Sequence, residues 1–218
     1  MRALIASGAG RYGDPWHPFA TTSERLAGVL RETGFDVEID DDVDAAMQRL
    51  GGVDLLVVNA GDPWRDGAPS AVDAASVTGF DDALGRGMGV LAMHAAVSSL
   101  RDYPAWAPAF GAIWLPGVSH HPPLGRTRIE LTPRADAPAP CFEVEDERYC
   151  RLQPIGDREV SAWHEGDGDG EPEPAAWTTR RGDARIAVDV LGHDERSYDS
   201  EGHRALIARM ARWAARAG

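Results

Sequence analysis

The stretch Gly87-Met88-Gly89-Val90-Leu91-Ala92-Met93-His94-Ala95-Ala96-Val97-Ser98 decides the fold. The apolar run from Val90 to Met93 follows two glycines, which is typical of a strand buried on both faces of a sheet. The strand ends at His94, and small residues follow before the chain can turn into a helix. This order of strand, tight turn and helix is how α/β sheets expose a reactive side chain at their carboxyl edge. We interpret His94 as a site residue, with a core histidine bonded to a backbone carbonyl as the alternative.

The bulk composition limits the class of protein. The 218 residues fit a single α/β domain, 1–218, that can bury its core without disulfides. Lys and Arg number 22 against 35 Asp and Glu, and the net charge of -13 argues against sequence-independent nucleic-acid binding. The only cysteines, Cys141 and Cys150, do not form a C-x-x-C pair. We find no signal peptide or membrane-spanning run, so we expect a cytoplasmic protein with no membrane partner.

The first four strands predict a parallel sheet. Each is followed by helix signals or by a loop long enough for a crossover, which gives the order βαβαβαβ. The predicted strands are 2–7, 35–39, 53–58 and 89–93. The first helix is expected to begin near Thr21, with Glu24 completing a capping box. The acidic run 40–44 is interpreted as a solvated turn that caps the next short helix.

Beyond His94 the pattern changes to short strands separated by polar loops. Strands are predicted at 126–131, 160–164, 175–180 and 184–191. The last two form a hairpin around Arg181-Gly182-Asp183. The final helix has an apolar face made of Leu206, Ile207, Met210 and Trp213. We interpret 60–70, 133–140 and 166–174 as loops or connectors. The paired acids within 142–149 are expected to face solvent.

A glycine-rich loop matches part of a dinucleotide fingerprint. Residues Gly8 to Gly13 fit G-x-G-x-x-G directly after a strand. Pro15 and Pro18 then keep the chain extended, where the fingerprint requires a helix to hold the pyrophosphate. We therefore predict no NAD or NADP binding and interpret this loop as one that carries His17 into a cleft.

Histidines fall at predicted strand ends or in adjoining loops at five positions: His17, His94, His120 or His121, His164 and His193. The loops after parallel strands open at the same edge, so His17 and His94 should share one cleft. Converging histidines transfer protons near neutral pH or bind a borderline metal such as zinc. No sequence-local zinc motif is present, and no serine or cysteine lies where a nucleophile is expected. Of the two adjacent histidines, one at most should face the site.

Short motifs follow one another along nearly the whole chain. They are His17-Pro18, Gly89-Val90-Leu91-Ala92-Met93-His94-Ala95-Ala96, Tyr103-Pro104-Ala105-Trp106, Phe110-Gly111, His121-Pro122, Asp146-Glu147-Arg148-Tyr149, Pro174-Ala175-Ala176-Trp177, Gly192-His193-Asp194 and Trp213-Ala214. Their order resembles the trehalose-utilisation (ThuA-like) family, whose fold is related to class I glutamine amidotransferases. That family has histidine at the elbow where amidotransferases have cysteine, so the resemblance argues against glutamine hydrolysis. The acidic, glycine-rich insert 166–173 departs from the family.

The resemblance implies an α/β fold of the class I glutamine amidotransferase-like kind. This is a flavodoxin-like three-layer sandwich with a mostly parallel sheet, an added antiparallel hairpin and a cleft at the strand carboxyl ends. The resemblance also implies that the strand before His193 runs beside the elbow strand. The expected function is a sugar-metabolism enzyme that acts on a glycoside or an oxidised (keto) sugar by histidine acid–base chemistry, with or without a divalent metal. The alternative is a non-catalytic carbohydrate-binding or regulatory protein.

The predicted site residues fall into two groups. The proton-transfer or ligand residues and the acid are His94, His193, His17 and Glu147. The substrate-binding residues are His121, Trp64, Trp106 and Trp177, because tryptophan offers a flat apolar face to a sugar ring. Burial in the core is the alternative for at least one of these tryptophans. The expected partner is a small-molecule sugar, the one cofactor considered is a divalent metal such as zinc, and homo-oligomerisation stays open.

Overall fold

The computed structural model describes residues 1–67, 72–133, 140–168 and 170–217. Its strands are β1 (Arg2–Ser7), β2 (Asp36–Asp40), β3 (Leu55–Asn59), β4 (Gly89–Met93), β5 (Ala112–Ile113), β6 (Gly125–Leu131), β7 (Cys141–Asp146), β8 (Gln153–Pro154), β9 (Glu159–His164), β10 (Glu173–Arg181) and β11 (Ala184–Asp189). Its helices are α1 (Phe19–Glu32), α2 (Val43–Gln48), α3 (Ala74–Gly85), α4 (Trp106–Phe110) and α5 (Glu201–Ala214). The predicted loop 60–70, connector 133–140 and insert 166–174 lie partly outside the described residues.

A mixed sheet forms the centre of the molecule. Over the described ranges its strand order is β2-β1-β3-β4-β11-β10-β9-β6-β7. Neighbours from β2 to β11 are parallel, and neighbours from β11 to β7 are antiparallel. The parallel arrangement predicted for the first four strands is confirmed. The hairpin β10–β11 places its second strand beside β4, so the carboxyl ends of β1, β4 and β11 meet at one edge.

Apolar side chains cover both faces of the parallel strands. All residues of β3 and β4 are buried, because successive side chains point to opposite layers and both layers are covered by helices. On one face Val90 belongs to the same cluster as Phe80 of α3. On the other face Leu91 belongs with Leu30 of α1 and Ile207 of α5. The predicted three-layer sandwich is confirmed.

The first helix begins earlier than predicted. α1 starts at Phe19, and Pro18 occupies the N-cap without a side-chain hydrogen bond. The capping box expected at Thr21 and Glu24 is therefore wrong: Pro18 ends the extended segment with φ of -79°, an angle close to the helical value. α2 does have the predicted acidic cap, because the Asp42 carboxylate accepts a backbone N–H from its first turn.

Asp44 is a network residue and not part of a purely solvated turn. Its carboxylate accepts hydrogen bonds from the hydroxyls of Tyr12 at 2.9 Å and Tyr103 at 2.6 Å, and it pairs with Arg11 at 2.9 Å. These contacts tie the loop after β1 to α2 and to the segment before α4. These contacts of Asp44 fix the position of the loop that carries His17.

Two glycines permit close approaches around the sheet. A Cβ at Gly89 would lie 2.5 Å from the Ala214 carbonyl oxygen, so glycine allows α5 to pack against the start of β4. A Cβ at Gly8 would lie 2.7 Å from the Phe19 ring, so the protein's own side chain fills the space beside the glycine-rich loop. That packing favours the prediction that NAD and NADP do not bind. Titration calorimetry checks it, and micromolar affinity would contradict it.

The final helix buries the predicted apolar face. Leu206, Ile207 and Met210 are buried, whereas Trp213 is half-buried beside the Arg185 guanidinium. Among the described residues, none of the helices combines the length and the apolar character that crossing a membrane requires.

Candidate functional site

The elbow histidine ends β4 at the carboxyl edge of the sheet. His94 has φ of +43° and begins a 3-10 turn that runs to Ser98. Positive φ is uncommon for a residue with a Cβ and costs on the order of 1–3 kcal/mol. Proteins retain such strained residues mainly at functional sites. The backbone at His94 therefore supports its interpretation as a site residue.

Both ring nitrogens of His94 have partners. Nδ1 lies 2.8 Å from the Val190 carbonyl oxygen, just beyond β11. A carbonyl oxygen only accepts, so Nδ1 carries the hydrogen and the tautomer is fixed. Nε2 lies 2.8 Å from the Tyr149 hydroxyl, which therefore donates to it. Nδ1 is bonded to a backbone carbonyl, as the core-histidine alternative describes. Nε2 faces the other side chains of the site.

His17 approaches from the loop after β1. Its Nδ1 lies 2.7 Å from the Asp14 carboxylate, and its buried Nε2 has no hydrogen-bond partner among the described residues. Burial lowers the pKa of His17, the hydrogen bond with Asp14 opposes this, and the His94 and His193 rings lower the pKa further. The neutral ring is therefore favoured, with one nitrogen free.

His193 follows β11, beside the elbow strand. Its backbone N–H and that of Gly192 donate to the buried Asp146 carboxylate at 3.2 and 2.7 Å. The His193 ring centroid lies 4.9 Å from that of His17 and 5.4 Å from that of His94. The His17 and His94 centroids are 5.0 Å apart. The three histidine rings therefore lie in one cluster.

Glu147 connects the histidines. Its carboxylate oxygens lie 3.5 Å from His94 Nε2, 3.3 Å from His193 Nδ1 and 3.4 Å from His121 Nδ1. Burial alone would raise the pKa of Glu147, but His193 and His94 outweigh it and hold the pKa well below its usual range. The expectation that the acids of this segment face solvent is wrong for Glu147 and Asp146, which are 8 % and 1 % exposed, because their carboxylates have partners inside the protein.

Four residues offer a common set of donor atoms. One ligand atom from each lies within 4.8 Å of all the others: His17, His94, His193 and Glu147. Three imidazoles and a carboxylate are ligands accepted by zinc and other first-row metals. Imidazole rings are also able to transfer protons near neutral pH, whereas the lowered pKa of Glu147 argues against the predicted role of this residue as an acid.

His17, His193 and Glu147 line a cleft of about 560 Å³, within the usual size of small-molecule sites, whereas His94 is 1 % exposed and does not line it. Trp16, Trp114 and Tyr149 supply its aromatic wall. Trp16 is 64 % exposed, and the Trp114 and Tyr149 ring centroids are 4.8 Å apart. Asp62 and Arg65 add charged groups to the lining. Flat rings beside polar groups suit a ligand with apolar faces and hydroxyl-bearing edges.

The family described as "Trehalose utilisation" (ThuA) matches residues 2–214. The chain belongs to this family. The resemblance inferred from the order of short motifs is thereby confirmed. No curated protein matches the chain significantly.

Solved structures share the fold over nearly the whole ThuA-family chain. A ThuA-like protein from Parabacteroides merdae ATCC 43184 is 20% identical with a TM-score of 0.79, covering 98% of this chain and 89% of that one. A ThuA-like protein from Bacteroides uniformis ATCC 8492 is 17% identical with a TM-score of 0.68, covering 98% and 90%. A protein from Salmonella typhimurium LT2, described as cytoplasmic, is 11% identical with a TM-score of 0.61, covering 98% and 99%. At these identities the likeness shows the fold, and a cytoplasmic location stays a prediction for this chain.

The aromatic wall of this ThuA-family site differs from the predicted one. Trp106 and Trp177 are core residues, 3 % and 0 % exposed, and their indole N–H groups donate to backbone carbonyls at 3.2 and 2.6 Å. Their assignment as substrate-binding residues is wrong, because α4 packs over the face of the sheet that carries Trp177. Trp64 is 38 % exposed but lines a separate, smaller cavity, where its indole donates to Asp102. Trp64 therefore does not line the cleft, and its substrate-binding role stays a prediction.

Three other histidines, His120, His121 and His164, differ in whether they reach the cleft. His121 lines the cleft, whereas His120 points to Asp167, with 3.2 Å between Nε2 and the carboxylate. One of the adjacent pair faces the site, as predicted. His164 is buried and supports the backbone: Nε2 donates to the Tyr149 carbonyl and Nδ1 accepts from the Gly166 N–H.

Sequence reasoning missed several contributors to the site: Asp14, Trp16, Trp114, Asp146 and Tyr149. Asp14 and Trp16 lie just before the predicted site histidine His17 on its own loop, which was an available signal. Tyr149 lies two residues after Glu147 in a motif already singled out. Trp114 follows the two-residue strand β5, and no pattern in the sequence marks it.

Proposed function

We propose that this chain is an enzyme that acts on a glycoside or an oxidised (keto) sugar through its His17, His94, His193 and Glu147 cluster. Membership of the trehalose-utilisation family gives the chain a role in sugar metabolism. One observation carries the finer proposal: the His17, His193 and Glu147 side chains line a single cleft with aromatic walls, and the buried His94 ring packs against both histidines. The proposed partner is a small-molecule sugar whose ring lies against Trp16 or Trp114.

The chemistry of such sugars needs a group that gives a proton and a group that takes one. Breaking a glycosidic bond requires a proton for the departing oxygen, and reaction beside a keto group requires a base for the neighbouring C–H. His121 suits proton exchange with solvent, because its side chain is 38 % exposed and its Nδ1 lies 3.4 Å from the Glu147 carboxylate. The Tyr149 hydroxyl is a second donor at the same wall.

A substrate panel tests the proposal. The protein is incubated with trehalose, other disaccharides and their singly oxidised keto derivatives, and products are followed by chromatography and mass spectrometry. We expect turnover of at least one sugar, and a loss of roughly 100-fold or more both in Glu147→Gln, which removes the charge of the cluster, and in His121→Ala, which removes the solvent-exposed ring beside it. His120→Ala is the matched control, because that neighbouring ring points to Asp167 and away from the cleft.

Two outcomes would overturn the enzyme proposal. Sugar binding without turnover would favour the alternative of a carbohydrate-binding or regulatory protein. Neither binding nor turnover with any sugar of the panel would remove the proposed substrate class. An equal loss of activity in His120→Ala and His121→Ala would overturn the role given to His121.

A further inference from the structure

We propose that His17, His94, His193 and Glu147 bind one divalent first-row transition metal, for which zinc is the best-suited ion. The part that such a metal plays in turnover rests on the proposed function, whereas its binding does not. The site would be assembled from four separate segments: the loop after β1, the end of β4, the residue after β7 and the loop after β11.

Two of the rings donate a hydrogen bond from the nitrogen that points away from the cluster, as metal-binding histidines do. His17 has Nδ1 on the Asp14 carboxylate at 2.7 Å, and His94 has Nδ1 on the Val190 carbonyl at 2.8 Å. In metalloproteins, a carboxylate or carbonyl on the outer nitrogen fixes the ring and increases the basicity of the inner one. Both rings therefore present Nε2 to the cluster as a lone-pair donor.

Two buried ring nitrogens point to the same conclusion. Nε2 of His17 is buried without a hydrogen bond among the described residues, and Nδ1 of His193 has only its ion-pair contact with Glu147. Buried polar atoms are normally paired, because an unpaired one loses its hydrogen bonds to water without replacement. The His193 nitrogen is 3.3 Å from a Glu147 oxygen, so a cation placed between them would satisfy both nitrogens and the carboxylate together.

The donor set selects the class of metal. Three imidazoles and one carboxylate suit zinc, cobalt, nickel and iron, whereas magnesium and calcium prefer oxygen donors. Tetrahedral zinc with bonds of about 2.0–2.1 Å has ligand atoms about 3.4 Å apart. The four donors already lie within 4.8 Å of one another, so any two of them have to approach by at most about 1.4 Å to reach that spacing. Three neutral rings and one carboxylate leave a divalent ion with one uncompensated positive charge.

Tyr149 has a distinct place in this arrangement. Its hydroxyl donates to His94 Nε2 at 2.8 Å, and that nitrogen has one lone pair. A metal on His94 therefore displaces the hydroxyl, which then faces the cleft that Tyr149 already lines. Tyr149 competes with the metal in the free protein and becomes a hydrogen-bond donor toward a bound sugar in the loaded one.

Zinc titration tests the site without any measurement of activity. Chelator-treated protein is titrated with Zn²⁺ by calorimetry, and the metal retained after dialysis is counted by mass spectrometry. We expect one equivalent per chain, and visible absorption bands of four- or five-coordinate Co²⁺ when cobalt replaces zinc. His193→Ala should abolish tight binding. Less than a tenth of an equivalent in the unaltered protein would overturn the proposal.

Three further variants separate ligation from general damage, with folding checked by circular dichroism. Asp14→Asn keeps an oxygen for the backbone N–H groups of Trp16 and His17 but loses the carboxylate, and should bind zinc about 10–100-fold more weakly. Tyr149→Phe should bind at least as tightly as the unaltered protein, and His120→Ala should bind equally. Unchanged affinity in both Asp14→Asn and His193→Ala would overturn the ligand assignment.

Activity then distinguishes this inference from the proposed function. Stoichiometric zinc without turnover of any sugar would support the metal site and overturn the proposed enzyme. Full turnover by protein shown to be metal-free would overturn a functional metal and leave the proposed enzyme intact.

Discussion

Replacing Asp146 with asparagine should destabilise the protein and displace two of the four clustered side chains. The Asp146 carboxylate is 1 % exposed and accepts from the backbone N–H groups of Glu147 at 2.8 Å, Gly192 at 2.7 Å and His193 at 3.2 Å. It also accepts from the Ser197 hydroxyl. One buried side chain thus joins the segment after β7 to the loop after β11.

The size of the effect follows from these contacts. Asparagine keeps one acceptor oxygen, which suits the Glu147 and His193 N–H groups, and turns its amide N–H₂ toward the Gly192 N–H. One hydrogen bond to a charged group, worth about 1.5–3 kcal/mol, is lost, and a buried donor is left unpaired at a cost of about 1–3 kcal/mol. The sum is about 2.5–6 kcal/mol. For a chain of this length that is a fall in Tm of about 5–24 °C.

Thermal unfolding followed by circular dichroism measures this effect. The matched control is Glu145→Gln, one residue earlier on the same strand, whose carboxylate is 51 % exposed and pairs with Arg196 at 3.2 Å. That change should cost less than about 1 kcal/mol. A Tm for Asp146→Asn within about 3 °C of the unaltered protein would refute the reasoning, because the loss of the buried bonds alone is larger.

Three other predictions concern stability and reactivity. Trp177→Ala should cost about 3–5 kcal/mol in urea unfolding, whereas Trp114→Ala should cost under about 1.5 kcal/mol and weaken sugar binding; equal costs would contradict the placement of these rings. Burial opposes the charged form of His203, but Asp189 outweighs burial and raises the pKa of this histidine. Protonated His203 therefore stabilises the folded protein fully below about pH 6.5, and this stabilisation is lost as the pH rises through the raised pKa. Urea midpoints should show that loss, with a flatter profile in His203→Gln. Burial raises the pKa of Cys150 to about 11, so a maleimide at pH 7.5 should label exposed Cys141 first.

The sheet and its elbow were predictable because their signals are local. The apolar run before His94 and the glycines that precede it describe a doubly buried strand without reference to any other part of the chain. The parallel order of the first four strands follows from the helix signals between them. The start of α1 was less predictable, because Pro18 and a potential capping box at Thr21 compete over three residues.

The aromatic wall was not predictable, because it depends on which helix covers which face. Trp177 is on β10, and a strand pattern does not reveal that α4 packs over its side of the sheet. The composition of 142–149 predicted solvent-facing acids, and only the family resemblance marked Glu147 as a site residue, because the partners of Asp146 and Glu147 are distant in sequence. Trp114 entered the cleft through tertiary packing alone.

The pairing of β4 with β11 has a consequence for biosynthesis. The His94 ring and the Val190 carbonyl that fixes it are 96 positions apart, so the elbow is completed only after nearly all of the chain has emerged. Until β11 exists, the apolar β4 is an unprotected sheet edge, which is a template for association with other chains. Nascent chains that stall before residue 184 should therefore depend on chaperones, and late synonymous changes that slow translation should lower the soluble yield more than early ones.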